Sequence, residues 1–293
     1  MRSLLFVPGD SQRKMDKGLA SAADILLIDL EDSVALAAKP DARKLTADML
    51  AANGSAHPGR LFVRVNALDT GLTGDDLDAV MAARPAGIML PKCNSAADVI
   101  ALDALLTEAE SAHGLETRST RLLPIITETS AAVLNAHTYA ASPLPRLAGM
   151  TWGAEDLSAD IGARTNRDSH GAYTDAFRLA RTVTLLAANA AGTAAVDTVF
   201  PAFSDMDGFE RECRDAERDG FTAKMAIHPA QVEVINRVFT PSPEAVAESR
   251  QVVEAFEAAG NPGVVGIDGK MYDRPHLRRA ERILARASAA GII

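Results

Sequence analysis

Eight short apolar runs recur along the chain, and stretches with helical spacing separate most of them. Each run is continuous rather than alternating, which is typical of strands that a parallel sheet buries on both faces. The intervening stretches, such as 75–81, 96–112 and 174–191, are rich in Ala, Leu, Glu, Lys and Arg. The runs occupy residues 3–8, 23–30, 60–66, 86–91, 121–127, 147–152, 196–202 and 222–227. This order of strand and helix predicts a parallel sheet covered by helices.

The number of strand–helix units favours a closed barrel over an open sheet. Eight units within about 230 residues match the usual size of a (β/α)8 barrel. An open, doubly wound sheet is the alternative, although no glycine-rich dinucleotide-binding motif follows the first run. We therefore expect an α/β fold, a (β/α)8 TIM barrel formed by residues 1–240.

The composition changes after residue 240. Pro241 and Pro243 precede a predicted helix at 244–259, and the sequence Gly-Asn-Pro-Gly at 260–263 then breaks the chain. Residues 264–273 resemble a short extended or hairpin element, and a last helix is predicted at 275–290. We expect residues 241–293 to form a short C-terminal helical extension that packs on the barrel mouth or on a neighbouring subunit.

Composition and charge narrow the class of protein. Hydrophobic residues make up 47% of the 293 positions, enough for a sizeable core. The net charge of −9 argues against nucleic acid as a partner. The two cysteines are far apart and form no CxxC motif, which indicates a reducing compartment. No apolar run is long enough to span a membrane, so we expect a cytoplasmic protein with no membrane partner.

Two acidic residues follow neighbouring strands of the predicted barrel. Glu128 ends the fifth run, and Asp156 comes shortly after the sixth. In a parallel barrel the carboxyl ends of consecutive strands lie side by side, so both acids should face one rim. Two carboxylates there could share a magnesium ion, which completes its shell with water and substrate. The alternative is that one acid forms a salt bridge with a neighbouring lysine or arginine.

Basic side chains lie at the same predicted rim. Arg64 ends the third run, and its guanidinium could hold a carboxylate or an enolate oxygen. The alternative is a structural ion pair with Glu31 or Asp32, and both roles can coexist. Arg13 and Lys17 are four residues apart, so they share one helix face after the first strand. That face could bind phosphates, or it could be an ordinary solvated surface.

Other side chains have less specific signals. His228, before Pro229, could act as a general base, although such a histidine more often bonds a loop or lines a pocket. Trp152 is the only tryptophan, and core packing is its expected role. Cys93 is expected to be a small buried side chain, because no histidine lies nearby in the sequence.

Taken in order, several motifs resemble the citrate lyase β-subunit-like proteins of the HpcH/HpaI aldolase superfamily, a group that includes malyl-CoA and citramalyl-CoA lyases. The resemblance covers nearly the whole chain. One departure is Met225, where many relatives have tryptophan. The motifs are RSLLFVPG at 2–9, DLEDSV at 29–34, RVN at 64–66, GAEDL at 153–157, AIHPAQ at 226–231 and GKMYD at 269–273.

The resemblance implies a magnesium-dependent barrel, usually a homotrimer or a dimer of trimers, that acts on acyl-CoA esters. It implies a metal site at Glu128 and Asp156 and an enolate-stabilising role for Arg64. It further implies that Asp273 is the acid that relatives offer to the active site of a neighbouring subunit. The residues implied to line the CoA site are Phe6, Arg13 and Lys17, with His228 and Pro229 near its adenine end.

The expected reaction is the reversible Claisen-type cleavage of a 3-hydroxyacyl-CoA, such as malyl-CoA, citramalyl-CoA or citryl-CoA, to acetyl-CoA and a 2-oxo acid. Because magnesium would supply the electrophile, no Schiff-base lysine is required, and Lys92 is the residue to watch if that is wrong. The alternatives are a malyl-CoA thioesterase and a citrate lyase β subunit that acts on a carrier-bound thioester. A non-catalytic CoA-binding protein belongs to a different class.

Overall fold

The computed structural model describes residues 1–293 and contains ten strands and twelve α-helices. The strands are β1 Ser3–Pro8, β2 Ile25–Asp29, β3 Leu61–Arg64, β4 Gly87–Leu90, β5 Arg121–Pro124, β6 Gly149–Met150, β7 Ala194–Asp197, β8 Ala223–Ala226, β9 Val264–Ile267 and β10 Lys270–Asp273. The helices are α1 Gln12–Leu19, α2 Lys39–Asn53, α3 Thr73–Val80, α4 Ala96–Ala112, α5 Ser130–Asn135, α6 His137–Ala141, α7 Ala154–Asp160, α8 Asp175–Ala190, α9 Met206–Asp219, α10 Pro229–Phe239, α11 Pro243–Ala258 and α12 Arg274–Ala289.

The first eight strands form a parallel sheet in the order β5-β4-β3-β2-β1-β8-β7-β6. Two parallel bridges, Leu122 with Leu147 and Ile125 with Thr151, join the outermost strands. Ile126 N–H donates to the Thr151 carbonyl at 2.9 Å, which closes the ring. The predicted (β/α)8 barrel is therefore confirmed, and the open-sheet alternative is wrong.

The barrel has an inner and an outer apolar layer, because successive strand residues point to opposite faces. The outer layer lies between the strands and the helices and contains 49 buried residues. Ten buried residues fill the interior: Leu4, Ile25, Leu27, Phe62, Met89, Leu123, Ile125, Val196, Ala223 and Met225. This filled interior leaves the carboxyl ends of the strands, the mouth, as the place for a site.

Most of the predicted runs extend beyond the observed strands, and the sixth and seventh differ most. The sixth run, 147–152, forms a two-residue strand with single bridges on either side. The seventh run was expected at 196–202, but β7 ends at Asp197 and the rest is a loop. Phe200 in that loop packs against Phe209 of α9, with ring centroids 5.7 Å apart. The apolar character of this segment therefore serves loop packing at the mouth rather than strand pairing.

The opposite end of the barrel holds a buried ionic group that we call the foot cluster: Asp103, Thr107, Glu110, Thr120 and Arg146. Arg146 and Glu110 are each 1% exposed. The Arg146 guanidinium donates to both Glu110 carboxylate oxygens, at 2.7 and 2.8 Å. It also bonds Asp103, the Thr107 hydroxyl and the Thr120 carbonyl. The foot cluster ties the end of α4 to the entries of β5 and β6.

Residues beyond 240 form α11, an antiparallel β9–β10 hairpin and α12, with their own small buried group that includes Phe256 and Leu277. Arg286 of α12 donates to the Phe239 carbonyl at 2.9 Å, and Arg282 lies 3.3 Å from Asn189. These partners lie at the carboxyl ends of α10 and α8, on the side opposite the mouth. Within one chain the extension does not cover the mouth, and its packing on a neighbouring subunit stays a prediction.

None of the helices combines the length and the apolar character needed to cross a membrane.

Candidate active site

Arg64 is fixed at the end of β3 by acids from β2. Its Nε and Nη2 donate to the two Asp29 carboxylate oxygens, each at 2.7 Å. Its Nη1 lies 3.0 Å from Glu31 Oε2, so the expected pair with Glu31 is present, while Asp29 is a partner that the sequence did not reveal. The Phe6 ring lies 4.8 Å from the guanidinium carbon. The orientation of Arg64 is therefore set before any ligand arrives.

The charge of Arg64 is secured by the same contacts. Burial opposes the charged form, but Asp29 and Glu31 outweigh it and hold the pKa of Arg64 above its usual value. The guanidinium has five N–H donors, and the two acids do not occupy all of them. Arg64 can therefore donate to a developing negative charge while keeping its support.

Glu128 has a buried carboxyl group with few hydrogen-bond donors around it. It follows β5 and is 2% exposed. Only the backbone N–H of Lys92 donates to it. Burial, and then the nearby Asp156 carboxylate, raise the pKa of Glu128 to about 8. A carboxyl in this setting gains from an added cation.

Gly153 makes room for the Glu128 side chain. A Cβ atom at residue 153 would lie 2.7 Å from Glu128 Cγ and 3.1 Å from its Oε1. The backbone of Gly153 is extended, with φ −122°, so the requirement concerns space rather than conformation. The residue before α7 thus helps to place the carboxyl that ends β5.

Asp156 lies in the first turn of α7 and is 35% exposed. Glu31 and Asp156 meet near the ammonium group of Lys92, which lies 3.7 Å from Asp156 Oδ1. No group of three or more His, Cys, Asp or Glu side chains converges as a complete metal shell. Two carboxylates with open positions beside them fit Mg²⁺, which takes one or two protein carboxylates and keeps water and substrate oxygens.

Lys92 connects the parts of this acidic group. It has a left-handed backbone, φ 55°, which is uncommon for a residue with a Cβ and turns its N–H toward Glu128. Its ammonium bonds Glu31 and lies 3.3 Å from Asp32. Burial opposes the charge, but the acids outweigh it and hold the pKa of Lys92 above its usual value. A permanently charged amine is a poor Schiff-base nucleophile.

A cleft of about 630 Å³ opens beside Arg64. Arg13, Lys14 and Lys17 of α1 form one wall. Gly9, directly after β1, lies against the end of β2. Its N–H donates to the Asp29 carbonyl at 2.8 Å, and a Cβ atom at residue 9 would clash with that oxygen. The predicted CoA-site residues all line this cleft: Phe6, Arg13, Lys17, Arg64, His228 and Pro229.

His228 has a structural position at the start of α10. Its Nδ1 accepts the Ala230 N–H at 3.2 Å, and the Gln231 side chain accepts the N–H of His228 at 3.2 Å. This reciprocal arrangement is a capping box. This arrangement matches the expectation that His228 bonds its loop and lines a pocket. The other ring nitrogen, Nε2, takes no part in the capping box.

Asp273 lies apart from the mouth in the same chain. It precedes α12 in the extension, where its Oδ1 is 2.5 Å from His276 Nδ1. The hydrogen bond from His276 lowers the pKa of Asp273. One chain therefore brings together every predicted site residue except this one.

The remaining predicted positions are structural. Trp152 is fully buried and donates its indole N–H to Asp197 at 2.8 Å. Cys93 is buried, and burial raises the pKa of its thiol well above the usual value. Met225 belongs to the barrel interior and does not line the cleft. Its departure from relatives therefore falls beneath the mouth.

Comparisons with known proteins show similarity along nearly the whole chain. The HpcH/HpaI aldolase/citrate lyase family model matches residues 2–229. A (3S)-malyl-CoA thioesterase of Cereibacter sphaeroides is 37% identical over 292 residues, with 98% of this chain and 95% of the relative covered. A citrate lyase subunit beta-like protein of Mycobacterium tuberculosis is 38% identical over 288 residues, with 98% and 95% covered. A crystal structure of CitE from M. tuberculosis with magnesium, acetoacetate and coenzyme A is 36% identical, with a TM-score of 0.76 and 98% of both chains covered.

Proposed function

The chain belongs to the HpcH/HpaI aldolase/citrate lyase family, and from that premise we propose that it is a magnesium-dependent lyase for a 3-hydroxyacyl-CoA. Malyl-CoA, citramalyl-CoA and citryl-CoA are the candidate substrates, and acetyl-CoA and a 2-oxo acid are the products. One observation carries the proposal: Arg64, oriented by Asp29, lies at the mouth near the buried Glu128 and the half-buried Asp156. The solved relative that holds magnesium, acetoacetate and coenzyme A supports it.

Glu128 and Asp156 would hold the metal. When bound, Mg²⁺ supplies a Lewis acid for the hydroxyl and carboxylate oxygens of the substrate. Burial, and then the Asp156 carboxylate, raise the pKa of Glu128, and a cation held there would favour the ionised form of both acids. Lys92 keeps Glu128 in place through its backbone N–H, and its ammonium stays with Glu31.

Arg64 would stabilise the negative charge that forms during cleavage. Loss of the substrate hydroxyl proton to solvent turns C3–O into a carbonyl and breaks the C2–C3 bond. The electron pair of that bond moves into the enolate of acetyl-CoA, and protonation at C2 completes the product. A preoriented guanidinium near the thioester oxygen lowers the energy of the enolate.

Asp273 is proposed to move the proton at C2, supplied by a neighbouring subunit of a homotrimer or a dimer of trimers. His276 keeps the pKa of Asp273 below its usual value, which favours the carboxylate needed to remove a proton from acetyl-CoA in the condensing direction. Asp273→Asn should lower kcat by about 100- to 10,000-fold, the range of general acid–base catalysis. Coenzyme A binding, measured by calorimetry, should not change, and a variant with full kcat would remove Asp273 from the mechanism.

The cleft beside α1 is the proposed CoA site. Arg13 and Lys17 supply the charge for phosphate groups, in a protein whose net charge of −9 does not suit nucleic acid. A cytoplasmic location, the oligomeric state and the identity of the 2-oxo acid stay predictions.

A product analysis tests the proposal. Purified protein with Mg²⁺ is incubated with malyl-CoA, citramalyl-CoA and citryl-CoA, and mass spectrometry follows acetyl-CoA, free CoA and the 2-oxo acid. Acetyl-CoA with a matching oxo acid, abolished by EDTA and restored by Mg²⁺, is the expected result. Arg64→Lys should abolish acetyl-CoA release, because lysine keeps the charge but loses the bidentate contact with Asp29 that orients it.

Two other outcomes identify the alternatives. Free CoA with the intact hydroxy acid would make the protein a thioesterase, the function named for the C. sphaeroides relative. Turnover only of a thioester on an acyl-carrier protein would indicate a citrate lyase β subunit. Magnesium and CoA binding without any turnover would leave a binding protein.

A further inference from the structure

His276 is a titratable side chain in direct contact with the proposed proton donor. Its Nδ1 lies 2.5 Å from Asp273 Oδ1, and the backbone N–H of Asp273 points to the same nitrogen at 3.2 Å. A bare ring nitrogen and a carboxylate oxygen repel each other at that distance, so a hydrogen lies between Nδ1 and Oδ1. The two side chains therefore exchange a proton as a pair rather than as independent groups.

The surroundings of the His276 ring keep the pair open to solvent. The ring is 37% exposed and lines a cavity of about 210 Å³ between α11 and α12. Glu248 of α11 and Arg279 of α12 line the same cavity with opposite charges, and Tyr272 of β10 contacts the ring edge-on, with centroids 5.4 Å apart. Asp273 is the charged group in direct contact with the ring, and water can supply it with a proton.

The proposed reaction needs a proton that Asp273 alone does not hold. In the cleaving direction C2 must be protonated, whereas the hydrogen bond from His276 lowers the pKa of Asp273 and keeps it a carboxylate near neutral pH. Histidine is the side chain type that gains and loses a proton between pH 5 and 8. The contact thus joins the group that would reach C2 to a group able to hold the proton.

We propose that His276 is the proton source for Asp273, a positioning residue that makes the pair an acid in cleavage and a base in condensation. The proposal rests on the proposed function, since it takes Asp273 to serve a neighbouring mouth. In cleavage the imidazolium passes its Nδ1 hydrogen to Asp273, and Asp273 passes a proton to the enolate carbon. The pair loses one positive charge and the enolate loses its negative charge. Solvent then returns the proton to His276.

The pH profile of cleavage by His276→Asn tests this role. Asparagine places an amide nitrogen near the Nδ1 position, so it keeps a donor to Asp273 but cannot supply a proton. With the usual pKa values of aspartic acid and histidine, the protonated fraction at pH 7 falls about 300-fold, and the stronger acid recovers part of that loss. The value of kcat should therefore fall about 10-fold at pH 7 and change little at pH 5.

His137→Asn is the matched control, because His137 is an exposed histidine of α6, in the barrel rather than in the extension, with its Nδ1 3.3 Å from the Leu134 carbonyl. Its profile should match that of wild type. An equal loss at pH 5 and pH 7 in His276→Asn would give His276 only a structural role. That result, or no loss at either pH, would overturn the proposal.

An NMR titration separates this proposal from the proposed function. The ring signal of His276 is identified among the six histidines by its loss in His276→Asn. The midpoint of its titration should move to lower pH in Asp273→Asn, because the carboxylate that favours the charged ring is gone. An unchanged midpoint would overturn the shared proton. A shifted midpoint without turnover of any hydroxyacyl-CoA by the wild type would refute the lyase and leave the shared proton in place.

Discussion

Two buried glutamates at opposite ends of the barrel have opposite environments. Glu110 in the foot cluster accepts hydrogen bonds from two guanidinium nitrogens of Arg146. It also accepts the backbone N–H groups of Arg118, at 2.7 Å, and Thr120, at 2.9 Å. Burial opposes its ionisation, but these donors outweigh it and lower its pKa to about 2. Glu128 at the mouth receives one N–H and faces another acid, and its pKa is about 8.

This difference in environment distinguishes a carboxylate that stabilises the fold from one that is a candidate ligand-binding group. A buried carboxylate with all its partners is a fixed part of the fold. A buried carboxylate without enough hydrogen-bond donors destabilises the folded state. Such groups are concentrated at functional sites, where a bound ligand supplies the missing interactions. The foot cluster is complete within the chain, whereas Glu128 at the mouth has a single N–H donor, which is where we propose that a cation binds.

The largest expected effect is that of Glu128→Gln. Magnesium binding should be lost and kcat should fall about 1000-fold or more, because Lewis-acid stabilisation is worth several kcal/mol. Without magnesium at pH 8, the free energy of unfolding should not fall, since the amide removes a repulsion with Asp156. Calorimetry, the thioester assay and urea unfolding check this. A less stable but active variant would contradict the comparison.

Glu110→Gln should have the reverse effect. The free energy of unfolding should fall by about 3 kcal/mol, because Arg146 is left buried with only part of its partners. The kinetic constants of the folded fraction should stay near wild type. Urea unfolding measures the loss, and the double variant Glu110→Gln/Arg146→Met should recover much of it. A double variant no more stable than the single one would mean that packing, rather than charge, dominates the foot cluster.

Gly153→Ala tests how closely the mouth is fitted around Glu128. The new Cβ would lie 2.7 Å from Glu128 Cγ, so the carboxyl must shift. Magnesium affinity should fall about 10- to 100-fold, as when groups that orient metal ligands are changed. Gly74→Ala is the control, because that position has open space around it. Equal magnesium affinity in both variants would show that the shift is absorbed elsewhere.

The pH dependence of stability without magnesium separates the two glutamates. The pKa of Glu110 is lower in the folded state than its usual value of 4.5, so its contribution is present above pH 4.5 and is lost as pH falls toward 2. The pKa of Glu128 is higher, so its contribution is present below pH 4.5 and is lost as pH rises toward 8. Thermal unfolding from pH 3 to 9 should show both slopes. Each Glu→Gln variant should remove one of them.

Much of the fold follows from the apolar runs, but less of the site does. Continuous apolar runs predict the strands because both faces of each strand are buried. The seventh run predicts too long a strand, because Phe200 lies in a loop and packs against Phe209. Glu128 and Asp156 follow from their place after strands. The backbone of Lys92 and the pairing of Arg64 with Asp29 have no local signal, since each depends on partners distant in the chain.

The position of the extension at the foot has a genetic consequence. If each active site takes its proton donor from another copy, two inactive variants can repair one another. Asp273→Asn keeps an intact barrel, and Arg64→Lys keeps an intact extension. After exchange of subunits in an equal mixture, about a quarter of the sites would combine an intact barrel with an intact donor. Two alleles that are each null alone would then complement when expressed together in one cell.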